Sequence, residues 1–356
     1  MKGLWIVLLF VLMLPVQAMG AELAPPPVPE SGEALMPKAQ TLSEGLRQIL
    51  GDLIPLLRPD LAEAAGVSLR VIAAVLLTAL LSSFREGMKP LACLVGTVSI
   101  SLALLGASKT MITLGADTVE ELTEYGKLLL PVMTAGLAAQ GRIGTSTAMY
   151  AATAAAGSVL GRLIARVFLP MLYLYLALSI ATGALGEEML KRMKEMMKKT
   201  MSWCLKTLLT LYTSYMGITG AVSGTTDAAL LKTTKATIAA FVPVVGGILS
   251  DASEVVLVGM GLAKNAAGIY GILAVLAVFL GPFLRIATHY LLLKGTAAVC
   301  GIFAQKPLTE LIGDFSSAMG LLLGMTGAVC ILLLIGTVCF LRGVGYWTGC
   351  GSMCFP

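Results

Sequence analysis

Long apolar runs recur along the chain, and they constrain its fold more than any other feature. Clear runs cover residues 68–84, 91–114, 163–185, 207–222, 267–287, 290–303 and 317–341, with short polar segments between them. A transmembrane helix needs about 20 mostly apolar residues, and its backbone groups must be satisfied within the helix because lipid offers no hydrogen bonds. The pattern therefore predicts an all-α, polytopic membrane protein with about six to eight transmembrane helices.

The composition agrees with a membrane protein. The 356 residues are 57% hydrophobic and 13% charged, and the mean hydropathy is +0.89. Soluble domains carry about 25% charged residues. The formal net charge of +5 is small and spread along the chain, so it gives no support to nucleic-acid binding. We attribute the basic excess to the cytoplasmic loops, where Lys and Arg collect in membrane proteins.

The N-terminal region has the pattern of an export signal. Residues 1–21 combine a positive start, a short apolar stretch at 4–16 and small residues at the expected cleavage region, which is typical of a signal peptide. An uncleaved anchor is the alternative. Cleavage places the N-terminus of the mature protein outside the cytoplasm. Residues 22–66 are then an extracytoplasmic, Pro-rich linker followed by an amphipathic helix, which lies on the outer face, on a partner, or over the bundle itself.

Residues 67–342 are predicted to form the membrane domain, and residues 343–356, with Cys350 and Cys354, a C-terminal tail. Charged segments indicate how the domain is oriented. The net-positive segment 85–89 is predicted to face the cytoplasm. The acidic segment 117–127 is predicted to form an extracytoplasmic loop between two spans, at 91–114 and from residue 128 onwards.

Two segments predict broken or re-entrant helices. In 241–254, a proline and a Gly-Gly pair interrupt an apolar run that ends in two acids, which are costly where lipid surrounds them. Around Gln140-Gly-Arg142, two half-length apolar pieces at 128–139 and 145–160 flank a polar break. Two short tilted spans with Arg142 in a cytoplasmic turn are the alternative. The candidate conduit or helix-break positions are Pro131, Gly136, Arg142, Pro243, Gly246, Gly247, Asp251 and Glu254.

The two segments also match each other. A shift of 112 residues aligns Pro131 with Pro243 and Arg142 with Glu254. These matches suggest an internal repeat with halves 117–222 and 229–329, and transporter folds often place their sites at such repeat interfaces. Arg142 and Glu254 would then be a pair near the midplane, or each would face water at its own loop.

The most charged stretch, 187–206, predicts an amphipathic helix at the membrane surface. Methionines occupy one side and basic residues most of the other. A methionine surface adapts readily to a partner, so partner docking and plain membrane anchoring both remain open. The candidate docking residues are Lys191, Arg192, Lys198 and Lys199.

No catalytic pattern stands out in the sequence. It contains neither a Walker A motif nor H-E-x-x-H nor G-x-S-x-G, and its one histidine, His289, stands alone in an apolar run. We therefore expect no enzyme activity, no catalytic or metal-binding residues and no cofactor.

Four segments resemble the stage III sporulation protein AE family of endospore-forming bacteria. They are Gly115-Ala-Asp-Thr-Val-Glu-Glu-Leu, Leu130-Pro-Val-Met, Gly220-Ala-Val-Ser-Gly-Thr-Thr-Asp and Phe241-Val-Pro-Val-Val-Gly-Gly-Ile-Leu-Ser-Asp. The resemblance runs from about residue 45 to residue 341. It implies a location in the mother-cell membrane around the engulfed forespore. It also implies partners: the other stage III sporulation A operon proteins, including a partner ATPase, and indirectly forespore protein Q.

The resemblance implies a membrane component of a secretion-like channel between mother cell and forespore, needed for late forespore gene expression. The alternatives are a self-contained secondary transporter, with Asp251 and Glu254 as ligands, and a membrane scaffold that docks a cytoplasmic partner. Homo-oligomerisation is compatible with each of these functions.

Overall fold

A computed structural model describes residues 26–37, 42–84, 89–138, 143–218 and 266–345, and within these residues the regular structure is helical. The helices in chain order are α1 (Glu30–Glu33), α2 (Leu42–Phe84), α3 (Lys89–Ala138), α4 (Ile143–Leu163), a π-helical turn (Ile164–Phe168), α5 (Leu169–Leu185), α6 (Glu188–Ile218), α7 (Ala266–Cys300) and α8 (Lys306–Gly345).

Five helical segments in the described part are long and apolar enough to cross a membrane. They are Leu42–Ser83, Pro90–Ala135, Thr147–Leu185, Ile269–Cys300 and Lys306–Phe340. The predicted class, an all-α polytopic membrane protein, is therefore confirmed. Because residues 219–265 lie outside the described residues, the count of about six to eight spans stays a prediction.

The last helix, α8, lies at the centre of the bundle. Every residue from 321 to 340 is buried, although this is the most apolar part of the described chain. Helices α3, α4, α5, α6 and α7 all contact α8. An apolar helix of this length would be stable facing lipid, so its burial on all sides means that protein, and not lipid, surrounds it.

The long helices run up and down around α8. Gly115 lies beside Leu322 and Gly126 beside Leu333, so α3 runs parallel to α8. Helix α7 runs the other way, because Ser316 contacts Tyr290 and Thr309 lies beside Gly301. The contacts of α2 with α3 and α7 show that α2 runs parallel to α7 and antiparallel to α3. The first turns of α8 thus mark one end of the bundle, and residues 333–345 mark the other.

Small residues allow α3 to approach α8 closely. A Cβ atom added at Gly115 would lie 2.6 Å from Cδ1 and 2.8 Å from Cγ of Leu322. Interfaces between membrane helices favour glycine for this reason, because dispersion contacts between backbones replace the hydrophobic drive that lipid removes. Gly106, on the same helix, has open space where a Cβ would lie.

The predicted extracytoplasmic loop at 117–127 is wrong. These residues are helical and belong to α3, which continues without interruption from residue 89 to residue 138. Asp117, Glu120 and Glu124 are exposed, whereas Val119 and Leu122 are buried. The acids therefore occupy the outer face of a helix whose inner face packs in the bundle, and a window of average hydropathy does not resolve these two faces.

Several predicted elements merge into longer helices. Residues 128–138 are the last turns of α3, so Pro131 lies inside a continuous helix and not in a separate half-length piece. Helix α2 crosses the proposed boundary at residue 66 with Pro55 and Pro59 inside it, and α7 joins the runs predicted at 267–287 and 290–303. The three prolines lie on exposed faces of their helices, and each removes one backbone hydrogen bond from the helix that contains it.

Other predictions fall outside the described residues. The chain passes from α3 to α4 between residues 138 and 143, where Gln140-Gly-Arg142 was expected to interrupt the helix. Arg142 itself, the signal peptide at 1–21, the broken segment 241–254 and the end of the chain from residue 346 are outside the described part. The internal repeat and the domain boundaries stay predictions.

Replacing Gly115 with alanine tests the close approach of α3 to α8. The new methyl group must displace Leu322 in a buried interface, and overpacking of this kind costs about 1–3 kcal/mol of unfolding free energy. The matched control is Gly106→Ala, which meets no neighbour and gains up to about 1 kcal/mol from helix propensity. Thermal unfolding in the same detergent compares the two variants. Equal stabilities would contradict the packing described for α8.

Candidate functional site

A buried ion pair joins α6 to the first turns of α8. Lys194 Nζ pairs with Asp314 Oδ2, and the two side chains are only 6% and 16% exposed. The hydroxyl of Tyr175, on α5, donates a hydrogen bond to Asp314 Oδ1 at 3.1 Å. Asp314 therefore accepts from two different helices, and each of its carboxylate oxygens has a partner.

Two further contacts extend this pair along the helices. Lys191 Nζ lies 3.4 Å from Glu310 Oε1, and Lys198 Nζ donates to Ser317 Oγ at 3.0 Å. Both sets of residues follow helical spacing, so each set lies on one face of its helix. We call these six residues the ion-pair ladder: Lys191, Lys194 and Lys198 on α6, and Glu310, Asp314 and Ser317 on α8.

The ladder fixes the direction and register of α6. Residue numbers increase together on the two helices, so α6 and α8 are parallel. The same register holds further along, where the Tyr212 hydroxyl donates to the carbonyl of Leu332 at 3.3 Å. Helix α6 thus runs alongside α8 from its first turns to its last. This corrects the prediction of a helix lying flat on the membrane surface at 187–206.

A cavity of about 180 Å³ opens beside the ladder. Its lining includes Ser179, Thr182, Gly186, Lys191, Lys194 and Asp314. A cavity of this volume that is lined by polar groups can hold several water molecules. Within the described residues, no group of three or more His, Cys, Asp or Glu side chains is placed to bind a metal ion. The arrangement supports hydration and ion pairing at this end of the bundle.

The structure divides the four predicted docking residues into two pairs. Lys191 and Lys198 point toward α8 and belong to the ladder, whereas Arg192 and Lys199 are exposed. The methionines divide in the same way. Met197 and Met201 are buried, and Met189, Met193 and Met196 are exposed. The sequence showed that α6 carries many basic residues and methionines, but it did not show which of these side chains face the bundle and which are exposed.

The predicted conduit positions do not meet at the ladder. Pro131 and Gly136 lie in the last turns of α3, which is at the end of α8 opposite the ladder. Arg142, Pro243, Gly246, Gly247, Asp251 and Glu254 are outside the described residues.

Tyr175, Glu310 and Asp314 did not stand out in the sequence. The signal available was weak: two acids four residues apart at the start of an apolar run. Acids within or near a span are candidates for function because of their cost in lipid, but their partners become visible only in the fold.

The fold and the ladder define a polytopic α-helical membrane protein with a buried ion pair between two parallel helices. The family model for stage III sporulation protein AE matches residues 40–342, so the chain belongs to that family. The confirmed resemblance covers nearly all of the helical region. The family is a stage III sporulation family, and the chain is accordingly a sporulation membrane protein.

A curated relative agrees with this assignment. The chain is 23% identical over 253 residues to stage III sporulation protein AE of Bacillus subtilis (strain 168). The alignment covers 70% of this chain and 63% of that protein, so it spans less than two thirds of the relative's length. No solved structure matches the chain.

Substitution of Asp314 by asparagine tests the buried pair. Asp314→Asn leaves the Lys194 ammonium without a counter-charge in a buried site, and breaking such a pair costs about 3–5 kcal/mol. We expect a large drop in unfolding temperature in detergent. The double variant Lys194→Met, Asp314→Asn removes the unpaired charge and should recover more than half of the loss.

The control is Glu310→Gln, which breaks the half-exposed pair with Lys191. Pairs of this kind contribute about 0–1 kcal/mol, so its effect should be small. If Asp314→Asn and Glu310→Gln have equal effects, the Lys194–Asp314 pair is not buried as described.

Proposed function

We propose that this chain is a membrane component of the secretion-like channel formed by the stage III sporulation A proteins. The channel links the mother cell to the forespore and supports late forespore gene expression and development. The family match over residues 40–342 carries the proposal, because it covers nearly the whole helical region and not a single motif. The proposed location is the mother-cell membrane around the forespore, with the N-terminus outside the cytoplasm.

The proposed role is passive and not enzymatic. The sequence contains no nucleotide-binding motif, so energy for export would come from a partner ATPase of the same operon. The other stage III sporulation A proteins are the direct partners in this proposal, and forespore protein Q is reached indirectly. In this proposal, the long apolar helices serve as a membrane wall or platform for such an assembly.

The packing of α8 constrains where a conduit can lie. In the described residues, α8 fills the axis of the bundle, and its buried side chains are tightly surrounded. Closely packed protein interiors contain few voids larger than a water molecule, so the buried surface of α8 offers no path for a larger solute. We therefore place the proposed conduit beside α8 and not along the axis that α8 occupies in the described part of the chain.

Deletion of the gene in the native host tests the proposal. We expect early mother-cell reporters to remain active while late forespore reporters fail, because the proposed conduit supports late forespore gene expression. A fluorescent fusion of the full chain should restore late expression, surround the forespore, and co-purify with the other operon proteins. Normal numbers of heat-resistant spores in the deletion strain would overturn the proposal.

A further inference from the structure

A second group of charged side chains lines a cleft between α3 and the helix that α4, the π-helical turn and α5 form together. The cleft has a volume of about 290 Å³ and is larger than the cavity beside the ladder. Pockets for small molecules measure about 300–1,000 Å³, so this cleft suits a small ligand. We call it the α3–α4 cleft and define it by six residues of its lining: Val119, Glu120, Glu124, Arg162, Ile164 and Arg166.

One wall of the cleft carries two arginines in an otherwise uncharged helix. Helix α4, the π-helical turn and α5 follow one another without a break from residue 143 to residue 185. Arg162 and Arg166 are the only charged residues in this stretch. Charged residues within long apolar helices of membrane proteins are costly and usually mark functional sites.

The π-helical turn lies at the same place. It begins two residues after Arg162 and contains Arg166. Such turns are rare, and they occur frequently at functional sites. Two independent features of one helix, its only charges and its π-helical turn, therefore coincide at the cleft.

A close contact between α3 and α4 forms the closed edge of the cleft. A Cβ atom added at Gly161 would lie 3.0 Å from Oγ1 of Thr123. Helices α4 and α5 run antiparallel to α8, and hence to α3, because their later residues contact earlier residues of α8. The Gly161–Thr123 contact therefore fixes which residues of the two walls lie at the same height.

The wall on α3 carries two acids opposite the arginines. Arg162 follows Gly161 by one residue, so it comes level with position 122 of α3, which is two residues or about 3 Å from both Glu120 and Glu124. Arg166 lies one turn further along, level with position 118, and again two residues from Glu120. All four side chains are exposed, and among the described residues no ion pair joins the two walls.

The space between an acidic and a basic wall fits a small zwitterion. An ammonium group has three N–H donors, which the carboxylates of Glu120 and Glu124 can accept, and a carboxylate can accept from the guanidinium groups of Arg162 and Arg166. A ligand with only one of these charges leaves the other wall without a partner. Lys127 also lines the cleft, one turn beyond Glu124 and away from the arginines.

The base of the cleft is apolar. Val119 and Ile164 are buried, and Leu169, which also lines the cleft, is half-buried. Ligand pockets commonly combine such apolar surface with a few polar groups that fix the orientation of the ligand. The base of this cleft offers a contact for an apolar side chain between the two charged walls.

We propose that the α3–α4 cleft binds a free amino acid or short peptide with an apolar side chain. The ammonium group lies between Glu120 and Glu124, and the carboxylate lies between Arg162 and Arg166. The site is separate from the ion-pair ladder. It does not depend on the proposed conduit function, because it rests on the residues of the cleft alone.

Calorimetric titration of the purified full-length protein in detergent tests the class of ligand. The probes are leucine and alanyl-leucine, and the matched analogues are N-acetyl-leucine, which lacks the ammonium group, and leucinamide, which lacks the carboxylate. We expect both zwitterions to bind and both analogues to bind at least about tenfold more weakly, because each analogue leaves one charged wall without a partner. No binding of either zwitterion at about 10 mM, or equal binding of all four probes, would overturn the proposal.

Substitutions in the cleft test where the ligand binds. Glu124→Gln and Arg162→Gln should each weaken leucine binding about tenfold or more, since each removes one charged partner. The matched controls are Asp117→Asn and Arg58→Gln, which change exposed charged residues outside the cleft lining and should leave leucine binding unchanged. Unchanged leucine binding in both cleft variants would overturn the assignment of the site.

A gain of binding separates a role in the site from a loss of structure. The double variant Glu120→Gln, Glu124→Gln should bind N-acetyl-leucine more tightly than the unaltered protein does, because the two acids no longer repel its carboxylate. A misfolded protein would not show this gain. If the double variant binds N-acetyl-leucine no better than the unaltered protein, the acids do not face the ligand and the proposal fails.

Discussion

The burial of α8 is the constraint on which the rest of the structure depends. Lipid is as apolar as leucine, so a hydrophobic helix gains little from leaving it, and close packing must hold such a helix inside a bundle. The chain supplies that packing in two ways. Glycines on α3 admit the leucines of α8 at Gly115 and Gly126, and polar side chains bind α8 to its neighbours at Asp314, Ser316 and the carbonyl of Leu332.

The ion-pair ladder contributes direction more than stability. A buried pair such as Lys194–Asp314 recovers about what its desolvation costs, so replacing it with well-packed apolar residues is often neutral. Its effect lies in what it excludes. Lysines at helical spacing on α6 meet acids at the same spacing on α8 only when the two helices are parallel and shifted by whole turns, so the ladder excludes an antiparallel or intermediate arrangement. Because this pairing holds α6 parallel to α8, the outer face of α6 runs lengthwise along the bundle.

The sequence predicted the class of the fold and the family, because both depend on features that persist along the chain. Apolar runs mark helices in lipid whatever their neighbours are. Four short segments carried the family resemblance, and the family match over residues 40–342 confirms it. Helix lengths were not predictable in the same way. Asp117 to Lys127 has the composition of a loop, yet its acids lie on the open side of α3 while Val119 and Leu122 pack inside. Hydropathy averages these two faces into one value.

The candidate site was predicted only in part. The basic residues of α6 stood out by their number, but the partition of Lys191 and Lys198 from Arg192 and Lys199 depends on where α8 lies. Asp314 is distant in sequence from Lys194 and Tyr175, and no local pattern connects the three. Partners of this kind are set by tertiary packing, which the spacing of residues along one helix cannot encode.

The rest of the account depends on the pairing of α6 with α8, and the proximity of positions 194 and 314 tests that pairing most directly. In a cysteine-free chain, Lys194→Cys and Asp314→Cys are combined and treated with a short thiol crosslinker in native membranes, followed by cleavage between the helices. Joined fragments are the result that the structure predicts, while Met193→Cys combined with Asp314→Cys should give separate fragments, since Met193 points outward. Joining through Met193 and not through position 194 would contradict both the register of α6 against α8 and the ion-pair ladder.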